Sequence, residues 1–178
     1  MRTENLAEEL AIAEERLREE ANGVVHTFRQ PLREVTTWPP AIAVHPQATV
    51  AEAMRTMIEA QVGSVLVVED AQVVGIFTER DVLTKVATQP IDAEHTPVHT
   101  CMTQQPLTLA LDDAFGYTLH AMNLGGYRHV PLVDEAGRPL ALVSMRTIID
   151  TLIAAFPQQL LNLPLSPAHE RPRTVEGG

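Results

Sequence analysis

The chain repeats itself once. "VHPQATVAEAMRTMIEAQVGSVLVVED" (Val44 to Asp70) overlays "LALDDAFGYTLHAMNLGGYRHVPLVDE" (Leu109 to Glu135) at a constant offset of 65, so that Val65-Leu66-Val67-Val68 falls on Val130-Pro131-Leu132-Val133. Past the next turn the offset becomes 66, and "GIFTERD" (Gly75 to Asp81) falls on "ALVSMRT" (Ala141 to Thr147). A one-residue slip is what a hairpin loop tolerates. Any fold for this chain therefore has to be built twice from one order of elements.

That order can be read in the first copy. Thr49 followed by Glu52 is a capping box, and Val50, Ala53, Met54, Met57 and Ile58 recur at helical spacing, with Gly63 expected to end the helix. Ser64 to Val68 and Val73 to Phe77 read as short apolar strands around the polar turn "EDAQ", and a second helix follows Thr78. In the second copy Asp112 or Asp113 is expected to cap a helix carrying Phe115, Leu119 and Met122, with Gly125-Gly126 at its end. Strands around Arg128 to Val133 and Leu140 to Val143 follow. The expected fold is α/β in the broad sense (α+β), two βαββα units in a pseudo-two-fold arrangement, with an N-terminal helix and a flexible C-terminal tail. Residues 1–30 are assigned to the N-terminal helix and linker, 31–90 and 91–156 to the two repeats, and 157–178 to a Pro-rich tail with little structure.

Composition narrows the function classes. With 178 residues, 45% of them apolar, the chain can build a real core. A formal charge of −10, from 23 acidic against 13 basic residues, argues against a general nucleic-acid binder, which needs clustered Lys and Arg. No apolar run approaches a membrane span and the start "MRTENLAEEL" is acidic, so no membrane contact and a cytoplasmic location are expected; the lone Cys101 agrees with a reducing compartment. The stripe Leu6, Leu10, Ala13 and Leu17 fits a helix packed on its own domain or one paired with a partner helix.

The tandem units, with "GIFTERD" and "YRHVPLVD" in place, resemble a pair of cystathionine-beta-synthase (CBS) domains, a Bateman module, over roughly Val35 to Phe156. The family's signature at the head of each last helix is Gly, apolar, any, Thr or Ser, two of any, Asp, and Gly75 to Asp81 satisfies it. "LREVTTWPPAIAV" and "VHTCMTQQPLTL" resemble the lead-in to each repeat, with Thr37-Trp38 where the second has Met102-Thr103.

The resemblance implies a regulatory module without catalytic chemistry. It needs no cofactor, binds an adenosine-containing ligand (AMP, ADP, ATP, S-adenosylmethionine or NAD) between the repeats, pairs as a homodimer, and signals to a regulated protein that sequence does not name. A ligand-free dimerisation scaffold is the alternative. Carried onto this sequence, Thr78 and Asp81 would hold the ribose, Leu107, Thr108 and Leu109 would form the base pocket, and Arg128 and His129 would meet a phosphate. A second, weaker cleft would use Ser144 and Thr147 with Ile42, Ala43 and Val44.

The residues themselves leave alternatives open. Thr-x-x-acid at a helix start is also a capping pattern, and Ser144 with Thr147 keeps the cap without an acid. Arg128 and His129 can equally be exposed strand residues, while Arg80 and Lys85 read as solvated helix positions. His95, His99 and Cys101 lie close together but lack a fourth ligand, so no metal site is assigned. Cys101 reads as a half-buried apolar residue of the lead-in.

Overall fold

The computed structural model describes Glu15, Arg18 and residues 21–157. The Leu6 to Leu17 stripe and the tail past Pro157 lie outside the described residues. The first copy contains a helix over 21–29 (α1), one turn α2 (Leu32–Val35), β1 (Ala43–Val44), α3 (Val50–Glu59), β2 (Ser64–Glu69), β3 (Gln72–Thr78) and α4 (Glu79–Asp81). The last of these runs on into a π-helical turn, Val82–Val86. The second copy has a 3-10 turn (Val98–Thr100), β4 (Thr103–Gln104), α5 (Phe115–Gly125), β5 (His129–Val133), β6 (Pro139–Ser144) and α6 (Met145–Ala155). The fold is mixed α+β and fits two units of one plan.

The two hairpins match pair for pair. β2 and β3 run antiparallel from Ser64↔Thr78, β5 and β6 from His129↔Ser144, and each register breaks at the corresponding place, between Val67 and Val68 and between Leu132 and Val133. The slip in offset falls in the connecting loops: Asp70 and Ala71 turn the first with φ of 47° and 62°, whereas the longer second loop uses Gly137 at φ 77°. Both loops place left-handed residues where a tight hairpin needs them.

Strand alternation sends Val65, Val67 and Phe77 into one core with Val50, Ala53 and Met57 of α3. Val130, Leu132 and Val143 enter a second core with Phe115 and Met122 of α5 and Ile148 of α6. Each core is completed by the lead-in of the other copy. Val98 and Cys101 fill the first; Leu32 and Trp38 fill the second, where Phe28 also stacks on Phe115 at 5.7 Å. Backbone bonds fix the exchange: Val50 N donates to Thr96 O at 2.9 Å and Val98 N to Ala48 O at 2.8 Å. On the other side Leu32 N donates to Asp113 O and Phe115 N to Gln30 O, both at 2.9 Å. β4 adds to β3 through Gly75↔Gln104 and Ile76↔Thr103, giving a four-stranded sheet in the order β1-β2-β3-β4.

Several local expectations need correction. α3 stops at Glu59, capped by Ala60, and Gln61 at φ 54° makes the left-handed exit, so Gly63 does not end the helix. Neither Asp112 nor Asp113 caps α5; its N-cap is Ala114, its first amide goes to the crossing chain at Gln30, and Asp113 Oδ2 instead accepts from Ala110 N at 2.7 Å. Cys101 is fully buried rather than half-buried, because the lead-in that carries it closes the first core. Arg128 lies just before β5, which begins at His129.

A candidate ligand-binding corner

β3 delivers Thr78 to the end of the sheet, where Glu79 N donates to Gly63 O at 3.0 Å and the chain turns into α4. Thr78 and Asp81 form a reciprocal capping box. Asp81 Oδ2 accepts from Thr78 N at 3.0 Å and from Thr78 Oγ1 at 2.7 Å. Its other oxygen, Oδ1, takes Lys85 Nζ at 2.6 Å and Thr103 Oγ1 at 3.3 Å. The carboxylate is thus only 5% exposed and yet fully partnered, as a buried charge must be.

Ser144 and Thr147 build the same box without charge: Ser144 N donates to Thr147 Oγ1 at 2.8 Å and Thr147 N to Ser144 Oγ at 3.1 Å. Capping alone therefore does not require an acid at residue 81.

The corner reaches the second copy at three places. Thr103 lies on the crossing strand β4. Arg80 Nη1 donates to Gly126 O at 2.7 Å, the carbonyl at the left-handed end of α5. A Cβ on Gly63 would lie 3.2 Å from Glu79 Oε2 and 3.5 Å from His129 Cε1, so this glycine leaves the space in which Glu79 and His129 approach. Burial lowers the His129 pKa from its ordinary value; Glu79 opposes the shift and Arg128 adds to it.

Leu107 and Thr108 are exposed, whereas Leu109 is buried and pairs with Leu132, giving its amide to Pro131 O at 3.0 Å. In the matching cleft Ile42 O accepts from Leu66 N at 2.8 Å, and Ala43 and Val44 pair with Leu66 and Val67. Arg128 is exposed and borders an open depression of about 550 Å³ with Leu119, Met122, Asn123, Tyr127 and Met145. None of Thr78, Asp81 or Leu107 to Leu109 lines that depression, which is mostly apolar and lacks the corner's acceptors.

Lys85 is not a solvated helix residue: besides Asp81 it donates to Met102 O at 3.1 Å and lies 3.4 Å from Thr103 Oγ1. The acid-to-base spacing of four on a helix is a signal for the first contact. The other two partners lie far along the chain, where spacing carries no signal. The three residues weighed for a metal have other partners: His95 Nδ1 is 2.8 Å from Asp92 Oδ2, His99 Nδ1 is 3.0 Å from Pro46 O, and Cys101 is in the core.

Duplicated α+β units, each with a capped strand-to-helix corner and a lead-in exchanged with its twin, define a tandem-repeat architecture. The CBS domain is matched at residues 32–88 and again at 98–154, and the chain belongs to the CBS-domain family. A CBS domain-containing protein of Arabidopsis thaliana is 30% identical over 113 residues, which are 64% of this chain but 21% of that protein, so the chain spans about a fifth of that relative. A solved protein with CBS domains from Burkholderia ambifaria is 26% identical with a TM-score of 0.63, covering 69% of this chain and 91% of that one. A CBS domain protein of Pyrobaculum aerophilum solved with AMP shares the fold at a TM-score of 0.60 and 22% identity, over 70% of this chain and 98% of that one. So does a CBS domain pair solved with 5′-methylthioadenosine and S-adenosyl-L-methionine, at 0.59 and 21%, over 68% and 98%. Among the described residues no helix is long and apolar enough to cross a membrane.

Proposed function

We propose that this protein is a non-catalytic regulatory module that takes an adenosine-containing ligand at the Asp81 corner and relays its occupancy to a separate protein. The observation that carries the reading is Asp81 itself. A buried carboxylate stands at a helix start where the twin repeat makes the same cap with a neutral threonine. The cis-diol of a ribose offers two donors to such an acceptor, and bonds to an ionised group are about twice as strong as neutral ones. Exposed Leu107 and Thr108 would flank the base, and Arg128, with His129 beside it, would meet a phosphate. The AMP and S-adenosylmethionine complexes of proteins with the same fold support the ligand class.

The oligomer proposed is a homodimer through the helices, where Ile58 of α3, Leu124 of α5 and Ile149 of α6 are at least half exposed at 74%, 72% and 50%. Light scattering at tens of micromolar would give twice the chain mass; a monomer there removes this part.

The ligand reading is tested by melting the pure protein against adenosine, AMP, ADP, ATP, S-adenosylmethionine and NAD. A ligand at a hundred times its Kd stabilises the native state by about 2.7 kcal/mol. At roughly 2–4 °C per kcal/mol this is a shift of several degrees. No shift with any of the six would favour the ligand-free scaffold, which draws its own support from the internal partners that already satisfy Asp81.

A further inference from the structure

Lys85 is the sole lysine of the chain; its other 12 basic residues are arginines. An ammonium has three donors on a compact head, and three acceptors surround this one: Asp81 Oδ1 at 2.6 Å, Met102 O at 3.1 Å and Thr103 Oγ1 at 3.4 Å. The planar fork of an arginine does not suit three acceptors grouped around one point. Asp81 Oδ2 is committed to the Thr78 amide and hydroxyl, and giving it up would uncap α4. The oxygen open to negotiation is Oδ1, and Lys85 holds it at 2.6 Å with Thr103 Oγ1 farther off at 3.3 Å.

We infer that Lys85 is a built-in competitor for the ribose acceptor: a ligand binds at the Asp81 corner by taking Oδ1 from the ammonium, and the exchange loosens the β3 to β4 seam between the two repeats. This rests on the reading that Asp81 accepts a ribose. The tie is specific in space. Lys85 lies on the π-helical turn of the first copy, whereas Met102 immediately precedes and Thr103 begins β4, which crosses from the second copy onto β3. β4 pairs only two of its residues with β3, Gln105 N adds a bond to Val74 O at 3.1 Å, and Lys85 supplies the side-chain tie at that crossing point. The Lys85 side chain is 37% exposed, so once displaced it can swing into water at little cost. Occupancy of the corner is thereby converted into loosening of the β3 to β4 seam. An i-to-i+5 turn, here closed by Ala87 N to Val82 O at 2.8 Å, is rare and occurs frequently at functional sites.

Two measurements test the inference. Calorimetric titration of adenosine, which has no phosphate to attract a cation, is compared between the wild type and Lys85→Met. Removing one charge-assisted competitor is expected to tighten binding about tenfold. The single lysine also allows a probe of the unmutated protein: acetylation of Lys85 by a water-soluble succinimidyl ester, followed by peptide mass spectrometry. Saturating adenosine is expected to speed it about three-fold or more, because the displaced amino group leaves the three partners that enclose it and becomes accessible to the reagent.

Binding by Lys85→Met alone, or a tighter Lys85→Met with faster wild-type labelling, supports the competitor. If the wild type binds adenosine while Lys85→Met binds no tighter and labelling is unchanged or slower, the competitor is overturned and the ligand site stands. If neither protein binds adenosine, AMP, ADP, ATP, S-adenosylmethionine or NAD, both readings fall. Should Lys85→Met fail to fold, the wild-type labelling decides.

Discussion

Asp81 and Thr147 occupy the same place in two copies of one corner, and the comparison separates folding from binding. The neutral Ser144–Thr147 box makes every capping bond that helix α6 needs at its start. Asp81→Thr is therefore expected to keep the fold while removing the ionised acceptor. The substitution also leaves Lys85 without its countercharge, so a stability loss of about 1–3 kcal/mol is expected with it. Nucleotide affinity should fall by tenfold or more, since a neutral bond is worth about 0.5–1.5 kcal/mol net against about 1.5–3 for a charged one. Unchanged affinity in Asp81→Thr would place the ligand elsewhere. His129 offers a second test at this scale. Burial holds its pKa below the usual value, so between that lowered value and about 6.5 the unfolded chain binds the extra proton. Its contribution to stability is present above about pH 6.5 and is lost as the pH falls toward the lowered value. The melting temperature of the wild type should drop more steeply between pH 7.5 and 5.5 than that of His129→Gln, and parallel curves would rule this out. The Thr78–Asp81 capping pattern was legible from spacing alone, but the partners that satisfy Asp81 were not, because Thr103 belongs to a segment 22 residues away.

Elements were legible where a local rule decided them. The Thr49–Glu52 capping box is present with both of its bonds, at 3.1 and 2.7 Å, and Gly126 ends α5 at φ 65°. The misread boundaries, at Gly63 and at Asp112 or Asp113, are those settled by chain from elsewhere: the start of α5 is satisfied by Gln30, and Gly63 is small because Glu79 and His129 approach it. Gly75 has a reason of the same kind. A Cβ there would lie 2.2 Å from Met102 Sδ and 2.9 Å from its Cε, so the first glycine of the "GIFTERD" signature makes room for the crossing lead-in. The second copy has Ala141 at this place, and the residue matching Met102 is the smaller Thr37. Gly75→Ala should destabilise by about 1–3 kcal/mol through overpacking. Adding Met102→Ala should recover part of that loss, so that the double-mutant cycle in denaturant melts shows favourable coupling. Simple additivity would mean that Met102 moves aside freely.

At the scale of the whole molecule the repeat in sequence is not a repeat of independent units. A division at residue 90 separates segments of chain but cuts through both cores, because Val98 and Cys101 complete the first copy and Leu32 and Trp38 the second. Val98 and Leu32 are 0% exposed, and burying one such side chain is worth about 1.5–3 kcal/mol. Each crossing segment thus carries a large fraction of the net stability of a small domain, which is about 5–15 kcal/mol. A fragment of residues 31–90 keeps its capping box and its hairpin yet lacks the segment that covers Phe77 and accepts the first amide of α3 through Thr96. It should be largely unfolded by circular dichroism and near-ultraviolet signal. Extending it to residue 105, which restores the crossing lead-in and β4, should recover a cooperative transition. The intact chain should unfold in one step, with van't Hoff and calorimetric enthalpies equal. Two resolved transitions, or a fragment 31–90 that melts cooperatively alone, would show that the exchanged lead-ins are ornaments on two self-sufficient folds.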